Sequence, residues 1–185
     1  EAPRYDRLIQ YRNDKLRFAE WNYGPMLWRM HSLTIADNKK NALYDASRWV
    51  IGYQNYAESR IERTRASSTR TIQSESVDAT SINWDAQKQI GKGSFFYGLE
   101  YVYNQVGSVG SRTNIITGST APFASRYPNN SRWQTSGAYG SYKLNLHKSL
   151  TLISGLRFSY NQLNSNFDTT FIKFPYKKAE CKAFS

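Results

Sequence analysis

Apolar and polar residues alternate most regularly between residues 95 and 104. One parity carries the larger apolar side chains, namely Phe95, Tyr97, Leu99, Tyr101 and Tyr103. Because successive side chains leave a β-strand on opposite sides, this period of two predicts a strand with one aromatic face. About ten tilted residues are enough to cross a bilayer. The pattern therefore fits a membrane-spanning barrel strand, although a strand of a soluble sandwich alternates in a similar way.

Five further segments predict strands, at residues 16–35, 43–63, 77–90, 133–146 and 150–163. The first is interrupted at Gly24-Pro25, which predicts a bulge or an edge because proline cannot donate to a sheet. The others repeat the aromatic and aliphatic face. The pattern thus predicts an all-β fold, an antiparallel meander of about six long strands that forms part of a transmembrane β-barrel, with residues 1–185 as one partial barrel domain.

The polar faces of these strands carry the charged residues, and we expect them to point into a lumen. The candidate lumen-facing residues are Arg48, Glu58, Arg60, Glu62, Glu100 and Arg157. The charged face of the 43–63 segment has two interpretations. It contacts a substrate, or it forms a lattice of cross-strand salt bridges that stiffens the wall.

The predicted connections differ in length according to the side of the sheet. Short turns are expected at 36–41, 91–93 and 147–149, and long loops at 64–76 and 107–132, with loop also at 1–15 and 164–185. This asymmetry is typical of outer-membrane barrels. Loops as long as 107–132 are usually functional or mobile. Its candidate ligand-contacting residues are Phe123, Arg126 and Tyr127, with Trp133 nearby, and the alternative is a solvated loop.

Composition agrees with a surface that meets an apolar–water boundary. Aromatic residues make up 15% of the 185 residues, with 14 Tyr and 5 Trp, while the mean hydropathy is only -0.68. No run of 18 apolar residues occurs, which excludes a transmembrane helix. The net charge of +11 has two explanations, a nucleic-acid binder or a charged lumen with solvated loops.

Motifs for catalysis or metal binding are not evident. Gly91-Lys92-Gly93-Ser94 lacks the upstream glycine of a phosphate-binding loop and precedes a strand. His31 and His147 are far apart, and the single cysteine, Cys181, permits no disulfide within the chain. We therefore expect no enzymatic activity, no metal site and no cofactor. The chain also opens on polar residues without the apolar core of a signal peptide, so we expect a fragment of a longer protein.

Five segments in order resemble the TonB-dependent receptor family, in the middle of its barrel. They are residues 3–8, 16–25, 53–63, 96–104 and 125–128, and the likeness extends over about residues 1–170. The resemblance implies a barrel of about 22 strands in the Gram-negative outer membrane, plugged by an N-terminal domain. It also implies uptake of a scarce, bulky nutrient such as a siderophore-iron chelate, cobalamin or a glycan.

The partners implied by this resemblance are outer-membrane lipid, the cargo, and the TonB complex through a plug domain that this chain lacks. Nucleic acid is not among them. Two alternatives stay open. One is a soluble basic β-domain that binds nucleic acid through arginine, lysine and exposed rings. The other is a small complete outer-membrane barrel with a structural role.

Overall fold

Long antiparallel strands make up most of the chain. The structure is a computed structural model and describes residues 2–173 and 175–185. No helix among these residues is long and apolar enough to cross a membrane. The elements in chain order are β1 (Ala2–Pro3), α1 (Tyr5–Leu8), β2 (Tyr11–Arg12), β3 (Lys15–Leu16), β4 (Phe18–Tyr23), β5 (Leu27–Asp37), β6 (Ala46–Thr64), β7 (Thr69–Ile90), β8 (Gly93–Asn114), β9 (Thr120–Phe123), β10 (Ser131–His147), β11 (Leu150–Asn166) and β12 (Lys178–Phe184).

The main sheet is an antiparallel meander, which confirms the predicted fold class. Its order is β1-β4-β6-β7-β8-β10-β11-β12, with β5 also paired to β6 and β9 to β8. Strands β4 and β5 lie end to end along β6, so the predicted 16–35 strand is indeed broken at Gly24-Pro25. Pairing continues through the break, because the Gly24 N–H donates to the Ser59 carbonyl at 2.8 Å.

Direct register pairs place side chains of neighbouring strands on the same face of the sheet. One row across five consecutive strands contains Trp49, Trp84, Leu99, Ala138 and Phe158. The next row contains Ile51, Ile82, Tyr101, Ser136 and Tyr160. We call this side the apolar face and the opposite side the polar face. The alternation predicted from the sequence thus continues in register across these five strands.

The apolar rows form a band of limited height. They extend along β10 from Leu144, which pairs with Leu152, to Gln134, which pairs with Tyr103. Ten residues of antiparallel strand span about 34 Å. A strand tilt of about 40° reduces this to roughly 25 Å, the height of the apolar band of an outer-membrane barrel.

The band is not covered by a second layer within the described residues. Leu156 is 87% exposed, Phe158 56% and Leu99 53%, whereas only four of the hydrophobic residues that the structure describes are buried. A soluble sandwich would bury these side chains against a facing sheet. The exposure of this face therefore contradicts the sandwich interpretation.

Tyrosine hydroxyls point away from the middle of the band at both of its ends. Toward one end, Tyr53 donates to Asp78 at 2.7 Å and Tyr101 donates to Gln134 at 3.1 Å. Toward the other, Tyr97 donates to the Leu43 carbonyl at 2.6 Å. Rings with an apolar body and a polar tip take this orientation at an apolar–water boundary.

Connections at the two ends of the strands differ, but less than predicted. Residues 38–45, 91–92 and 148–149 join strands at one end, here called the turn end. The opposite end, called the loop end, carries 65–68, 115–130 and 167–177. The prediction of a long loop at 64–76 is wrong, because the join has only four residues.

The predicted loop at 107–132 is also wrong in part. Residues 107–114 continue β8 and pair with β7 without interruption, and residues 120–123 form β9. Serine, threonine and glycine suggested a loop, but threonine favours strands and the cross-strand partners satisfy the backbone. The terminal loops likewise contain α1, the β2–β3 hairpin and β12. Glu1 and Phe174, within those predicted loops, lie outside the described residues.

Candidate functional site

The six predicted lumen-facing residues all lie on the polar face. Register pairs relate them across the strands: Arg48 with Asp85, Glu58 with Glu75, Arg60 with Gln73, Glu62 with Thr71, Glu100 with Gly137, and Arg157 with Tyr139. Along the direction of the strands, these six residues lie at two different heights. Arg48, Glu100 and Arg157 lie at the height of the apolar band, whereas the other three lie beyond it, toward the loop end. Their predicted contact with a lumen stays a prediction.

On the polar face, at the height of the apolar band, an ion pair joins two strands that have another strand between them. The Arg157 guanidinium on β11 donates to the Glu100 carboxylate on β8. The arginine passes over Gly137 of the intervening β10, where a Cβ would lie 2.9 Å from the guanidinium. A side chain at Gly137 would therefore displace the ion pair.

A second strand-skipping contact runs parallel to the first. The Tyr139 hydroxyl on β10 donates to Asp85 on β7 at 2.5 Å. Here the ring passes over Gly98 of β8, and a Cβ on Gly98 would lie 2.7 Å from the ring. Both contacts depend on a glycine in the strand that they cross, so glycine determines which strands the polar side chains connect.

The charged lattice predicted for β6 is only partly present. Glu58 and Arg60 approach to 3.8 Å along the strand. Among the described residues, Arg48 and Glu62 form no ion pair. The stiffening contacts at band height therefore come from Glu100, Arg157 and Tyr139 rather than from β6.

Residues 124–130, which connect β9 to β10, fold onto the polar face at the loop end. The Gln73 side-chain amide donates to the Ala124 carbonyl at 3.0 Å. The Tyr127 N–H donates to the Ser108 hydroxyl at 3.3 Å, and the Ser108 N–H donates to the Asn129 side chain at 3.0 Å. We call residues 124–130 the docked loop. These three contacts attach it to β7 and β8.

A buried carboxylate lies beneath the docked loop. Glu75 is 7% exposed, and neither of its oxygens has a hydrogen-bond partner. Its nearest cation is Arg126 of the docked loop at 3.9 Å, and Glu58 lies directly opposite on β6. Burial raises the pKa of Glu75; the Arg126 charge opposes this shift, and the Glu58 carboxylate adds to it. An ion pair that is too long to be a hydrogen bond is therefore added to the three hydrogen bonds that attach the loop.

Arginines stack on aromatic rings around the docked loop. Four such pairs are described by the distance from the guanidinium carbon to the ring centroid. This distance is 5.4 Å for Arg4 and Trp21, 5.5 Å for Arg60 and Tyr23, 3.5 Å for Arg112 and Phe123, and 5.2 Å for Arg126 and Tyr127. Register places Trp21, Tyr23 and Phe123 on the polar face. A stacked guanidinium keeps in-plane N–H groups for an anionic or hydroxyl-bearing ligand. This surface suits a polar ligand that carries rings or negative charge.

The four predicted ligand-contacting residues are only partly brought together. Phe123 ends β9, and Arg126 and Tyr127 belong to the docked loop, so these three share the loop end of the polar face. Trp133 lies in β10 instead, where it is 52% exposed and pairs with Asn104. The strand predicted from residue 133 is thus confirmed, with β10 beginning two residues earlier, while a role of Trp133 in ligand contact stays a prediction.

Sequence reasoning missed Trp21, Tyr23, Glu75 and Tyr139. The first two were obscured by the poor alternation of their segment, where β4 carries a register shift between Phe18 and Glu20. Tyr139 has the parity of the polar face, which could have identified it. Among the described residues, no group of three or more histidines, cysteines and carboxylates is arranged to hold a metal ion.

A second carboxylate with charged neighbours, Glu20, lies on the other side of the sheet at the same end. Glu20 accepts from Arg63 at 3.1 Å and from Arg70 at 2.6 and 3.0 Å. These hydrogen bonds, chiefly that of Arg70, lower the pKa of Glu20. Glu20 thus has the full set of partners that Glu75 lacks.

Comparison with known proteins identifies the fold. No protein-family model matches the sequence, and no curated protein matches it closely enough to count. Among solved structures, the copper transporter OprC matches with a TM-score of 0.72 and 10% sequence identity. The match covers 89% of this chain but only 27% of the transporter, so the chain spans about a quarter of that protein's length. The fold is therefore that of a segment of an outer-membrane β-barrel wall.

Proposed function

We propose that the chain forms part of the barrel wall of a TonB-dependent outer-membrane receptor, with the apolar face toward lipid and the polar face toward the lumen. The observation that carries this proposal is the exposed apolar band, roughly 25 Å high, with tyrosine hydroxyls directed away from its middle. The fold shared with OprC supports it. The resemblance of five sequence segments to TonB-dependent receptors supports the finer assignment.

The loop end faces the cell exterior in this proposal, because short turns are periplasmic in outer-membrane barrels. The docked loop then lies inside the lumen, where an incoming cargo meets Phe123, Arg126 and Tyr127. We infer a bulky nutrient of the siderophore-iron, cobalamin or glycan class. TonB coupling belongs to a plug domain elsewhere in the receptor, and no catalytic step is assigned to this chain.

Nucleic-acid binding is the second candidate function. The net charge of +11 and the arginine–aromatic stacking around the docked loop favour it, since bases stack on such surfaces. It leaves the exposed apolar band without a role. A steep loss of binding to single-stranded DNA with rising salt would support this candidate.

Cysteine labelling on the two faces of the sheet tests the membrane assignment. Cys181 is exposed and is first replaced by serine to give a background without reactive thiol. Leu99→Cys then reports on the apolar face and Asn83→Cys on the polar face at nearly the same height. In whole outer membranes, a water-soluble maleimide should label the Asn83→Cys variant and leave the Leu99→Cys variant unlabelled. Equal labelling of both variants contradicts the proposal.

Uptake assays test the receptor function itself. Uptake of ferric siderophores, cobalamin and oligosaccharides is measured in a strain that lacks the full-length protein. It is compared with uptake in the parent strain and in the deletion strain after complementation. We expect uptake of one class to be lost in the deletion strain and in cells without TonB. The Arg126→Ala and Tyr127→Ala variants should reduce that uptake, while Arg65→Ala, at the β6–β7 turn, should leave it unchanged. Uptake that is independent of TonB would overturn the finer assignment.

A further inference from the structure

A groove runs along β10 on the apolar face. Strand β10 presents Ser136, Ala138 and Gly140 there, while both neighbouring strands present bulky side chains. The cavity has a volume of about 460 Å³. It extends across neighbouring strands, because its lining includes Trp49 of β6, Ile82 and Trp84 of β7, Leu99 and Tyr101 of β8, Ser136 and Ala138 of β10, and Phe158 of β11. The small side chains of β10 thus leave a depression between the larger side chains of β8 and β11, and this depression continues over β8 toward β7 and β6.

The two ends of the groove differ. Toward the turn end, the Phe95 ring covers Gly140, where a Cβ would lie 3.1 Å from the ring. Toward the loop end, a chain of hydrogen bonds crosses the mouth: Tyr101 donates to Gln134 at 3.1 Å, and Gln134 donates to Gln162 at 2.6 Å. The groove is therefore closed by an apolar ring at one end and bordered by polar groups at the other.

Beyond this polar border lies an arginine, Arg132, that has no carboxylate partner among residues 2–173 and 175–185. Arg132 is exposed on the same face of β10, and its register partners, Gln105 and Asn164, are neutral. The two nearest acids of that row are engaged elsewhere. Asp78 accepts from Tyr53 and Asn55, and Glu180 pairs with Lys178 and Lys182. Arg132 is thus free to bind an anion at the edge of the apolar band.

We propose that this groove binds one acyl chain of a phosphate-bearing anionic membrane lipid, with the phosphate at Arg132. The inference rests on the proposed function, since it requires the apolar face to contact lipid. Ala138 lies six positions after Arg132, about 20 Å along the strand. With a tilt of about 40°, this distance corresponds to roughly 15 Å of depth, half of a hydrocarbon core. An anchored headgroup and a seated chain therefore fit the same lipid molecule.

Native mass spectrometry of the full-length protein in neutral detergent micelles tests the proposal. The probe is phosphatidylglycerol, and phosphatidylcholine is the zwitterionic comparison. We expect the wild type to retain one equivalent of phosphatidylglycerol in preference to phosphatidylcholine. Ala138→Phe, which fills the groove, should weaken retention about tenfold. Arg132→Gln should reduce the preference about fivefold while leaving weak retention of both lipids.

Matched controls separate this site from general lipid contact. Ser154→Phe adds a ring to the apolar face outside the groove, and Arg29→Gln removes an exposed charge at the height of Arg132 on β5. Both should behave as wild type. Unchanged retention by Ala138→Phe, or an equal effect of Arg29→Gln and Arg132→Gln, overturns the proposal. If Ala138→Phe fails to fold, judged by its mobility on gels with and without heating, the arginine pair decides the question.

The cysteine labelling described above separates the two proposals. Labelling of the Leu99→Cys variant by a water-soluble reagent would defeat the membrane function and this inference together. Protection of that variant, combined with lipid retention that is unchanged in the Ala138→Phe and Arg132→Gln variants, would contradict only the lipid site.

Discussion

The apolar and polar faces of the same strands use their side chains differently. On the apolar face, rings and aliphatic chains stand exposed, and their few polar atoms bond toward the two ends of the band. On the polar face, Arg157 and Tyr139 reach over a glycine to bond with the second strand away. One face is adapted to contact an apolar solvent and the other to connect strands. The difference implies that a substitution should have different effects on the two faces.

A charge placed in the middle of the apolar band should have the largest effect. Leu99→Arg is expected to lower the free energy of unfolding by about 2–4 kcal/mol, because an arginine at the centre of the bilayer loses its hydration. Equilibrium unfolding of the full-length protein from lipid vesicles by urea measures this change.

The control is Asn83→Arg, which adds the same charge at nearly the same height on the polar face. We expect a change below about 1 kcal/mol there, since surface substitutions are usually tolerated. Equal losses for the two variants would mean that the faces do not differ in environment.

Filling a glycine on the polar face should have the next largest effect. Gly98→Ala places a methyl group against the Trp84 carbonyl and 2.7 Å from the Tyr139 ring. Overpacking of this kind costs about 1–3 kcal/mol. It should also displace Tyr139 from Asp85, and the same urea titration measures the loss.

The matched glycine is Gly52, on the polar face of β6. A Cβ there would meet only the Ser81 hydroxyl, at 2.7 Å, which can rotate away. Gly52→Ala should be neutral or slightly stabilising, because alanine restricts the unfolded chain. A loss as large as that of Gly98→Ala would refute the role of the strand-skipping contacts.

Release of the docked loop should be a smaller, local effect. Arg126→Ala removes the cation nearest to Glu75 and leaves the buried carboxylate with only the weaker influence of Arg60. We expect amide hydrogen exchange of residues 124–130 to accelerate about tenfold, equivalent to about 1.4 kcal/mol. Arg65→Ala, at the β6–β7 turn, should leave exchange unchanged. Unaltered exchange in Arg126→Ala would show that the three hydrogen bonds alone hold the loop.

The smallest expected effects concern Glu20 and Glu75, whose pKa values shift in opposite directions. The pKa of Glu20 is lowered in the folded protein, so the unfolded chain binds its proton first as the pH falls below about 4.5. The contribution of Glu20 to stability is therefore present above that pH and is lost below it. Glu20→Gln should remove less than about 1 kcal/mol, and only at the higher pH, as measured by urea unfolding.

Glu75 provides the opposite case. Its raised pKa means that the folded protein binds the proton more tightly than the unfolded chain. Its contribution to stability should therefore decrease as the pH rises through its folded pKa. Glu75→Gln should remove this dependence while Glu20→Gln leaves it intact. The same sign of pH dependence for both carboxylates would contradict the contrast between them.

The strands and their faces could be predicted from the sequence because a period of two needs only local information. The parities of Trp49, Trp84, Leu99 and Phe158 were correct, and register brought them into a single row. The extension of β7 and β8 toward the loop end could not be predicted from composition. Serine- and threonine-rich segments become strands there because each supplies the other's hydrogen-bond partners.

The candidate site was harder to predict, since it depends on which strands become neighbours. Arg126 was identified, but Glu75 lies 51 positions earlier in the chain, and only the fold of the docked loop brings the two within 3.9 Å. Likewise, nothing local indicates that Tyr139 bonds with Asp85, because the contact depends on the glycine of a third strand.

The strand-skipping contacts have a mechanical consequence. A third example lies on the apolar face, where Tyr142 crosses Gly93 to donate to the Ile90 carbonyl at 2.8 Å. Peeling β8 from β10 would require the loss of side-chain bonds to β7 and β11 as well as the shared backbone bonds. Under a force applied across the strands, we therefore expect several strands to separate together. Separation of one strand from its neighbour alone should be resisted.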